Sequence, residues 1–384
     1  MKKLDNKPVS INPVPDEPLI SSYLHNRARD MGIPVSGTFE ITGRCNFNCR
    51  MCYVHNQQSN LMQKEELSAE WWIETGRKAV EAGMVFLLIT GGEPLLRDDF
   101  PEIYKALHEM GLVISINSNG YLLSGKIKEL FSKYPPNRIN ISLYGSDNDT
   151  YEKFTGVRAF DTIIRNIAEM REKGISMRFN CSITPDNRDD MENIFNVANE
   201  LGMHIKTTSY MYPQTRLNGT FGENNNRLSP SEAAECRVGW SRLRYSTDDF
   251  LSRARGMKKT IDEFLATERE CEEENGIRCR AGRSSFWLNK KGEMAVCGMI
   301  DKSFDIKELG FIEAWNQVKK LSASIRLPAE CLNCPYRSIC NVCAAVCYTE
   351  TGDFSKKPEY VCQFSRETAR LTQIELERLT KNGN

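Results

Sequence analysis

The chain has 384 residues, and its 51 lysines and arginines are balanced by 51 aspartates and glutamates, so that the formal net charge is zero. This balance gives no electrostatic attraction to nucleic acid or to an anionic membrane, and no apolar run approaches the roughly 18–20 residues of a membrane span. Residues 1–6 are not followed by the apolar segment of a signal peptide, so we expect a cytoplasmic protein without nucleic-acid or membrane partners.

Strand and helix patterns alternate from residue 37 to about 212, after a proline-rich, polar lead-in over 1–36 with a short helical pattern at 21–31. The strand patterns cover 37–42, 84–90, 113–117, 138–143, 177–183 and 204–211. The helical patterns cover 69–82, 100–110, 125–133, 162–173 and 191–201. Six β-α steps with short connections predict a parallel sheet with right-handed crossovers. Periodicity alone does not decide between an open sheet and a barrel.

Beyond residue 212 the alternation stops. Residues 213–227 are polar, which predicts a loop, and Ser229-Pro230-Ser231-Glu232 has the pattern of a helix start that should continue as a charged helix to Glu274. Residues 365–379 are amphipathic and are expected to pack back on the α/β unit. The predicted division is a lead-in at 1–36, the α/β unit at 37–212, a linker at 213–278, a cysteine-rich domain at 279–364 and a closing helix at 365–384.

Three cysteines follow the first predicted strand with the spacing C-x3-C-x2-C, namely Cys45, Cys49 and Cys52. Thiolates this close can hold three corners of an iron–sulfur cluster, whose iron is bound by cysteine sulfur. No fourth cysteine follows locally, so one iron would be open to a ligand from outside the protein. A zinc site or a chance spacing is the alternative at this point.

Four residues directly after the second predicted strand form a second motif, Gly91-Gly92-Glu93-Pro94. The glycines would let a ligand approach the backbone closely, and the peptide groups with the Glu93 carboxylate suit a ligand that bears an ammonium group. Alone, these residues would predict an ordinary turn. Their position at a strand end, shortly after the cysteine motif, favours a binding site.

Fourteen cysteines in a chain expected to be cytoplasmic indicate metal binding rather than disulfides. Cys181 lies in a strand-like run and is expected to be a buried apolar thiol. Residues 285–289 and 293–296 flank Lys290-Lys291-Gly292 and predict a β-hairpin. Eight cysteines make two sets of four, which fits two [4Fe–4S] clusters and fits four-cysteine zinc sites equally well. These eight are Cys279, Cys297, Cys331, Cys334, Cys340, Cys343, Cys347 and Cys362.

The C-x3-C-x2-C and GGEP motifs resemble those of the radical S-adenosylmethionine (SAM) superfamily. The later spacing, C-x12-G-x4-C followed by C-x2-C-x5-C and a distal cysteine, resembles the SPASM extension with its two auxiliary [4Fe–4S] clusters. The resemblance covers about 40–362 and implies a partial (β/α)6 TIM-type barrel followed by a small cysteine-rich SPASM domain, with the chemistry at the carboxyl ends of the strands. It implies a [4Fe–4S] cluster on Cys45, Cys49 and Cys52 that binds SAM and cleaves it to a 5′-deoxyadenosyl radical, which abstracts hydrogen from the substrate.

The resemblance also implies a SAM site around the cluster. The residues it assigns to cofactor binding are Gly91, Gly92, Glu93, Pro94, Asn119 and Ser142. Its candidates for the partner of the SAM carboxylate are Arg158, Arg165 and Arg178, and those beside adenine are Tyr210 and Met211, for which simple packing is the alternative. His55 is either a solvated loop residue or a contact near the substrate.

For the auxiliary clusters, the SPASM pattern implies that the outer one is held by Cys331, Cys334, Cys340 and Cys362. The inner one takes Cys279 and Cys297 with Cys343, Cys347 or both, and Cys271 is a competing ligand. The family spacing after the five-residue gap is C-x3-C, whereas this chain has C-x2-C-x3-C, so the sequence leaves the choice open.

Enzymes with this layout most often modify ribosomally made peptides or proteins, so a peptide maturase that crosslinks, epimerises or oxidises side chains is the leading hypothesis. Its partners would be a peptide or protein substrate and an external electron donor of the flavodoxin or ferredoxin type. Against it, residues 1–36 are too short for the leader-binding domain of many peptide maturases. The alternatives are a small-molecule radical SAM enzyme in cofactor, haem-type or sugar metabolism and, outside enzymes, a zinc-binding scaffold, for which the GGEP motif has no purpose.

Overall fold

The computed structural model describes residues 19–54, 66–224, 226–266 and 275–382, so that His55, Cys271 and the first half of the predicted lead-in, residues 1–18, lie outside the described residues. The strands are β1 Ser36–Glu40, β2 Phe86–Thr90, β3 Val113–Ser118, β4 Arg138–Ser142, β5 Met177–Ser182, β6 Ile205–Thr208, β7 Ser285–Leu288, β8 Glu293–Ala295 and β9 Ser303–Asp305. The helices are α1 Leu19–Met31, α2 Ala69–Glu81, α3 Phe100–Glu109, α4 Gly125–Lys133, α5 Asn148–Thr155, α6 Phe160–Glu172, α7 Met191–Glu200, α8 Thr215–Asn218, α9 Pro230–Arg244, α10 Thr247–Leu265, α11 Ile306–Leu309, α12 Phe311–Ser324, α13 Ala344–Thr351 and α14 Glu359–Asn382.

These strands form one sheet with the order β6-β5-β4-β3-β2-β1-β7-β8-β9. Strands β1 to β6 pair in parallel with their neighbours in the chain, and helices connect them. The sheet ends at β6 on one side and at β9 on the other, so the barrel is partial and open. The expectation of a partial (β/α)6 barrel is confirmed.

The two faces of the parallel strands differ in chemistry because side chains alternate along a strand. Phe39, Ile89, Ile116, Ile141 and Phe179 lie under the helices and are almost fully buried in the main hydrophobic core. On the face that looks into the barrel, Thr38, Ser115, Asn117, Asn180 and Ser182 are polar and half-buried, while Leu88 of β2 is half-buried and apolar. The concave side of the sheet is therefore mostly polar and partly accessible.

The predicted hairpin is confirmed, because β7 and β8 pair antiparallel, with Trp287 opposite Ala295. Its place in the fold was not predicted. Strand β7 lies parallel to β1, in a register that sets Ser36 opposite Ser285, and so extends the barrel sheet into the cysteine-rich region. The sheet thus crosses the boundary that the sequence placed at residue 279, since pairing between segments so distant in the chain has no local pattern.

Several helices differ from the sequence expectations. Helix α5 was not predicted, because its polar sequence resembles a turn; Asp147 caps it by accepting a hydrogen bond from the Thr150 N–H at 2.7 Å. The capping box at Ser229 is confirmed at the start of α9. The single helix predicted from there divides into α9 and α10, since Ser246 starts a new helix by accepting from the Asp249 N–H at 3.1 Å. The short helix α8 lies in the segment predicted as a loop.

The closing helix α14 starts at Glu359, earlier than predicted, and therefore includes Cys362. It packs mainly against α9 and α10, with Phe250, Ala254 and Leu376 in a small core, rather than directly on the strands. In the part of the chain that the structure describes, no helix combines the length and apolar character needed to cross a membrane.

Candidate active site

The cysteine loop, residues 41–54, continues from the carboxyl end of β1 and carries Cys45, Cys49 and Cys52, all half-buried. The Phe47 N–H donates to Cys45 Sγ at 3.4 Å, and the Val54 N–H donates to Cys52 Sγ at 3.4 Å. The Cys52 N–H donates to the Cys49 carbonyl at 3.1 Å and closes the last turn. The three predicted cluster ligands thus share one loop at the edge of the sheet where barrel enzymes place their sites.

The charges around this loop favour a bound cation. Burial, with the Glu93 carboxylate and the Cys52 thiol, raises the pKa of Cys45 to about 12. The pKa of Cys49 is raised well above its usual value by burial first and then by Cys52 and Cys45. These raised pKa values mean that a buried thiolate is unfavourable without a partner. Metal coordination would offset this cost, because a coordinated thiol is deprotonated. Three cysteines that interact with one another on one loop have the donor chemistry of an iron–sulfur cluster. In the described residues, no three His, Cys, Asp or Glu side chains are placed to hold a single metal ion.

The GGEP turn (Gly91, Gly92, Glu93 and Pro94) packs directly on the cysteine loop. The Gly92 N–H donates to the Thr42 carbonyl at 2.9 Å, and the Glu93 N–H donates to the Arg44 carbonyl at 2.8 Å. A Cβ on Gly91 would lie 2.5 Å from the Thr42 oxygen, and one on Gly92 would lie 2.2 Å from the Arg44 oxygen. The glycines were interpreted as giving a ligand access to the backbone, but here they admit the backbone of the cysteine loop.

Glu93 joins the GGEP turn to the end of β3. It is fully buried, and its carboxylate accepts hydrogen bonds from the Leu95 N–H at 3.1 Å, the Asn119 N–H at 2.7 Å and the Ser118 hydroxyl at 3.0 Å. Burial raises the pKa of Glu93 to about 7, while these donors act in the opposite direction. Pro94 follows as the first residue of a short 3₁₀ helix over Pro94–Leu96. Glu93 therefore fixes the relative positions of two loops around the cysteines.

Asn119, a predicted SAM contact, reaches the cysteine loop. Its Nδ2 donates to Asn46 Oδ1 at 2.8 Å and lies 3.9 Å from Cys45 Sγ, while its Oδ1 accepts from the Tyr121 N–H at 3.0 Å. Ser142 lies at the carboxyl end of β4, and its carbonyl accepts from the Tyr151 hydroxyl at 2.9 Å. Both residues are at the same edge of the sheet as the cysteines.

Tyr144, given no role from the sequence, also lies near this loop. Its ring stacks on Phe154 at 4.3 Å between centroids. Burial raises the pKa of Tyr144 well above its usual value, and Cys49 is the next contributor. Tyr144 is therefore a buried aromatic side chain beside Cys49.

The arginine candidates for the SAM carboxylate have other partners. Arg158 is exposed and forms ion pairs with Asp149 and Glu152. Arg165 is exposed on α6, and its Nη2 lies 3.5 Å from the Thr162 hydroxyl. Arg178, inside the barrel on β5, donates through Nε to Asn140 Oδ1 at 2.6 Å. None of these contacts involves the cysteine loop, so the sequence-based choice among them stays open.

The predicted adenine candidates lie at the join between the barrel and α13. The Tyr210 hydroxyl donates to Glu350 Oε1 at 2.8 Å, and Arg227 forms an ion pair with the same carboxylate at 2.8 Å. Met211 is buried. These contacts connect the end of β6 to the cysteine-rich region, which is a packing role.

Two residues of the linker, which sequence reasoning missed, hold the cysteine loop and the end of the strand before it. Gln214 is buried, and its Nε2 donates to the carbonyls of Arg50 at 3.0 Å and Cys52 at 2.7 Å. Arg216 forms two hydrogen bonds with the buried Glu40 carboxylate, at 2.8 and 3.0 Å, and a third with the Gly298 carbonyl at 2.9 Å. Isolated polar residues in a polar loop give no periodic signal that could have revealed them.

The inner cysteine set comprises Cys279, Cys297 and Cys343. Burial raises the pKa of Cys297 to about 11, and Cys343 and Cys279 both contribute to the rise. Cys343 immediately precedes α13, so the N–H groups of the first turn face its sulfur. The Tyr212 hydroxyl lies 4.0 Å from Cys343 Sγ. Burial raises the pKa of Cys343, and the N–H groups of this helix start act in the opposite direction.

Cys347, the competing inner ligand, has a different environment. It is fully buried in a small apolar cluster with Ile325 and Leu327. Burial is the main cause of its raised pKa, and the thiol that contributes most after burial is Cys331. Cys343 rather than Cys347 is the thiol that influences the pKa of Cys297, while Cys271 lies outside the described residues, so the assignment of the inner ligands stays a prediction.

The outer cysteine set comprises Cys331, Cys334, Cys340 and Cys362, the four residues predicted for the outer cluster. All four line one cavity of about 290 Å³, together with Arg337, Lys357 and other residues. The structure thus brings together cysteines from a loop and from the first turn of α14.

Cys236 lies on α9 and Cys181 on β5, and both are buried, as expected for Cys181.

Comparisons with known proteins agree with this site. Residues 39–198 match the family model of the radical SAM superfamily. The chain is 24% identical to an AdoMet-dependent heme synthase from Methanosarcina barkeri over 84% of this chain and 94% of that protein. It is 32% identical to a probable GTP 3′,8-cyclase from Sulfurisphaera tokodaii, over 42% of this chain and 51% of that protein.

Solved structures extend the likeness to the cysteine-rich region. Native anSMEcpe with bound AdoMet superposes with a TM-score of 0.67 at 17% identity, over 91% of this chain and 100% of that one. Streptococcus suis SuiB bound to the precursor peptide SuiA superposes with a TM-score of 0.62 at 17% identity, over 90% of this chain and 80% of that one. The chain therefore contains a radical SAM domain over residues 39–198 and is an enzyme, with a cysteine-rich C-terminal region that fits a SPASM domain.

Proposed function

We propose that the protein is a maturase that modifies a ribosomally made peptide or protein, with two auxiliary [4Fe–4S] clusters in its cysteine-rich region. The observation that carries the proposal is the open, mostly polar concave face of the sheet beside the cysteine loop. A partial barrel whose edges are β6 and β9 can admit a chain segment, whereas a closed cavity would suit a small molecule. The fold likeness to SuiB, solved with its precursor peptide, supports this substrate class.

The residues around the cysteine loop have distinct tasks in this function. A [4Fe–4S] cluster with SAM supplies a 5′-deoxyadenosyl radical, and the protein supplies position and exclusion of side reactions. Cys45, Cys49 and Cys52 would hold the cluster. Glu93 keeps the GGEP turn in place through the end of β3, and Gln214 holds the last turn of the loop through two carbonyls. These contacts limit movement of the loop, on which productive geometry depends.

The auxiliary clusters of the proposal use the two cysteine sets. The inner set lies with Tyr212 beside the barrel, and the outer set lines its own cavity next to α14. A cluster held by one of these sets would accept the electron that remains when a substrate loses one hydrogen atom to the radical and one proton to solvent. An external donor of the flavodoxin or ferredoxin type would supply the electron for SAM cleavage.

The domain division at residues 36, 212, 278 and 364 remains part of the proposal. Strand β7 joins the cysteine-rich part to β1, so we expect the two parts to unfold together rather than separately.

A second candidate function, a reaction on a small haem precursor, is supported by the likeness to the heme synthase over most of both chains.

Iron analysis under anaerobic conditions tests the cluster content. We expect about twelve iron atoms per chain in the wild type and about eight in the Cys45/Cys49/Cys52→Ala triple variant, with loss of 5′-deoxyadenosine. Cys236→Ala is the matched control, because this buried cysteine lies outside the three sets, and it should leave the iron content unchanged. A triple variant that still forms 5′-deoxyadenosine at the wild-type rate would refute the site.

The substrate class is tested by mass spectrometry with peptides encoded beside the gene and, in parallel, with a haem precursor. A peptide that stimulates 5′-deoxyadenosine formation and loses two mass units or gains a crosslink supports the maturase. Turnover of the haem precursor alone would replace the leading function by the second one.

A further inference from the structure

Two arginines beside the outer cysteine set have buried nitrogens without a hydrogen-bond partner. In the described part of the chain, five buried side-chain nitrogens have no partner: Trp72 Nε1, Arg138 Nε, Arg237 Nη1, Arg242 Nη1 and Arg337 Nη1. Arg237 and Arg337 are the two in this group that adjoin predicted cluster ligands. A buried guanidinium N–H without an acceptor is unfavourable, so two of them beside one set of cysteines, Arg337 in the lining of the cavity and Arg237 near Cys340, point to an anionic group held by that set.

Arg337 approaches the outer set from the loop that carries it. Its backbone N–H donates to the Cys334 carbonyl at 3.0 Å, and its side chain lines the cavity with the four cysteines. Its Nη2 is 3.5 Å from Asn275 Oδ1, at the limit of a hydrogen bond. Burial raises the pKa of Cys331, and the Arg337 charge acts against that rise. The Nη1 atom of Arg337 is buried and has no hydrogen-bond partner.

Arg237 lies near the outer set on helix α9 of the linker, where its charge acts on Cys340. Its Nη2 donates to the Ile339 carbonyl at 3.1 Å, which places the guanidinium next to Cys340. The guanidinium lies 5.4 Å from the centroid of the Phe364 ring, on the helix that carries Cys362. The arginine is therefore fixed by two neighbours, and its Nη1 is buried without a partner.

We propose that Arg237 and Arg337 donate N–H hydrogen bonds to a [4Fe–4S] cluster on the outer cysteine set and raise its reduction potential. The inference rests on the proposed function, since it takes these four cysteines to be cluster ligands. A cluster with four thiolates is anionic and gains charge on reduction, so nearby cations and N–H donors favour the reduced form. The linker helix would thereby set the redox property of the more distant cluster.

The experiment is an anaerobic redox titration of the full chain with dithionite, followed by electron paramagnetic resonance. The outer signal is identified by its loss in Cys334→Ala. Arg237→Gln and Arg337→Gln should each lower the reduction potential of the outer cluster by at least about 59 mV, which corresponds to a tenfold change in the one-electron equilibrium constant. Arg237→Lys keeps the charge and should retain most of the potential.

Arg242→Gln is the matched control. Arg242 lies on the same helix and also has a buried Nη1 without a partner, but its other contacts are Glu375 at 3.1 Å and the Phe250 ring. Its substitution should leave the potential unchanged. An equal shift in the control, or unchanged potentials in both glutamine variants with the cluster present, overturns the inference and leaves the proposed function intact.

Absence of an outer cluster from the wild type, with about eight iron atoms per chain, instead overturns the proposed cluster content. If Arg237→Gln does not assemble the outer cluster, Arg337→Gln decides: a lowered potential supports the inference, and an unchanged one overturns it.

Discussion

Substitution of Gly92 by alanine is a direct test of how the GGEP turn is held against the cysteine loop. The added Cβ would lie 2.2 Å from the Arg44 carbonyl oxygen and 2.7 Å from its carbonyl carbon, distances that real Cβ atoms do not show. Because the obstacle is backbone rather than a flexible side chain, the two segments must separate by roughly 1 Å to reach an ordinary contact.

The cost follows from the two hydrogen bonds that this movement breaks. The bonds from the N–H groups of Gly92 and Glu93 are 2.9 and 2.8 Å long, and each contributes about 0.5–1.5 kcal/mol. Overpacking adds about 1–3 kcal/mol, so the total is about 2–6 kcal/mol. A loss of this size displaces the turn, and since each 1.4 kcal/mol corresponds to tenfold in affinity, SAM binding should weaken at least tenfold.

The assay is SAM affinity of the reconstituted protein by equilibrium dialysis, with 5′-deoxyadenosine formation measured in parallel. Gly256→Ala is the matched control. Gly256 lies in α10, and an added Cβ there has no atom within 4 Å, so the substitution should increase the stability of the helix by about 1 kcal/mol at most. Wild-type SAM affinity in the Gly92→Ala variant would show that the close approach of these two loops does not support the site.

Two further substitutions test the residues that position the cysteine loop. Burial raises the pKa of Glu93 to about 7, above its unfolded value of 4.5, so its contribution to stability is complete below pH 4.5 and is lost as the pH rises through 7. Without SAM, the unfolding free energy of the wild type, measured with denaturant, should fall by roughly 2–3 kcal/mol between pH 5 and 8, whereas that of Glu93→Gln should not fall by this amount. The same pH dependence in both proteins would contradict this expectation. Gln214→Ala removes both side-chain hydrogen bonds to the last turn of the cysteine loop, so a chelator should remove the first cluster several-fold faster; an unchanged release rate would argue against this role.

Much of the barrel and of the cysteine site could be predicted because both depend on local patterns. Apolar strands with helices between them determine the order β1 to β6, and parallel strands place their carboxyl ends at one edge. The cysteine loop and the GGEP turn follow neighbouring strands, which brings them to the same edge of the sheet. Asn119 was correctly expected at this edge, where it reaches Cys45 and Asn46.

The rest depends on contacts between distant segments. Nothing in residues 285–288 indicates that they pair with β1, and the Glu40 contact with Trp287 joins residues separated by 247 positions. The sequence also does not show that Gly91 and Gly92 pack against the cysteine loop, because the atoms that leave no room for a side chain there belong to Thr42 and Arg44. The choice between Cys343 and Cys347 depends on where α13 starts, a boundary that sequence patterns locate poorly.

The pairing of β1 with β7 has a consequence for the order in which the chain can fold. During synthesis, β1 emerges early and gains β2 on one side, but its other edge has no partner until residues 285–288 leave the ribosome. An unpaired edge is open to other chains, and contacts of such high sequence separation form slowly. A nascent chain or a truncated form that ends before β7 is therefore the species that most needs a chaperone, and a chain cut in the linker should aggregate rather than yield a separate barrel.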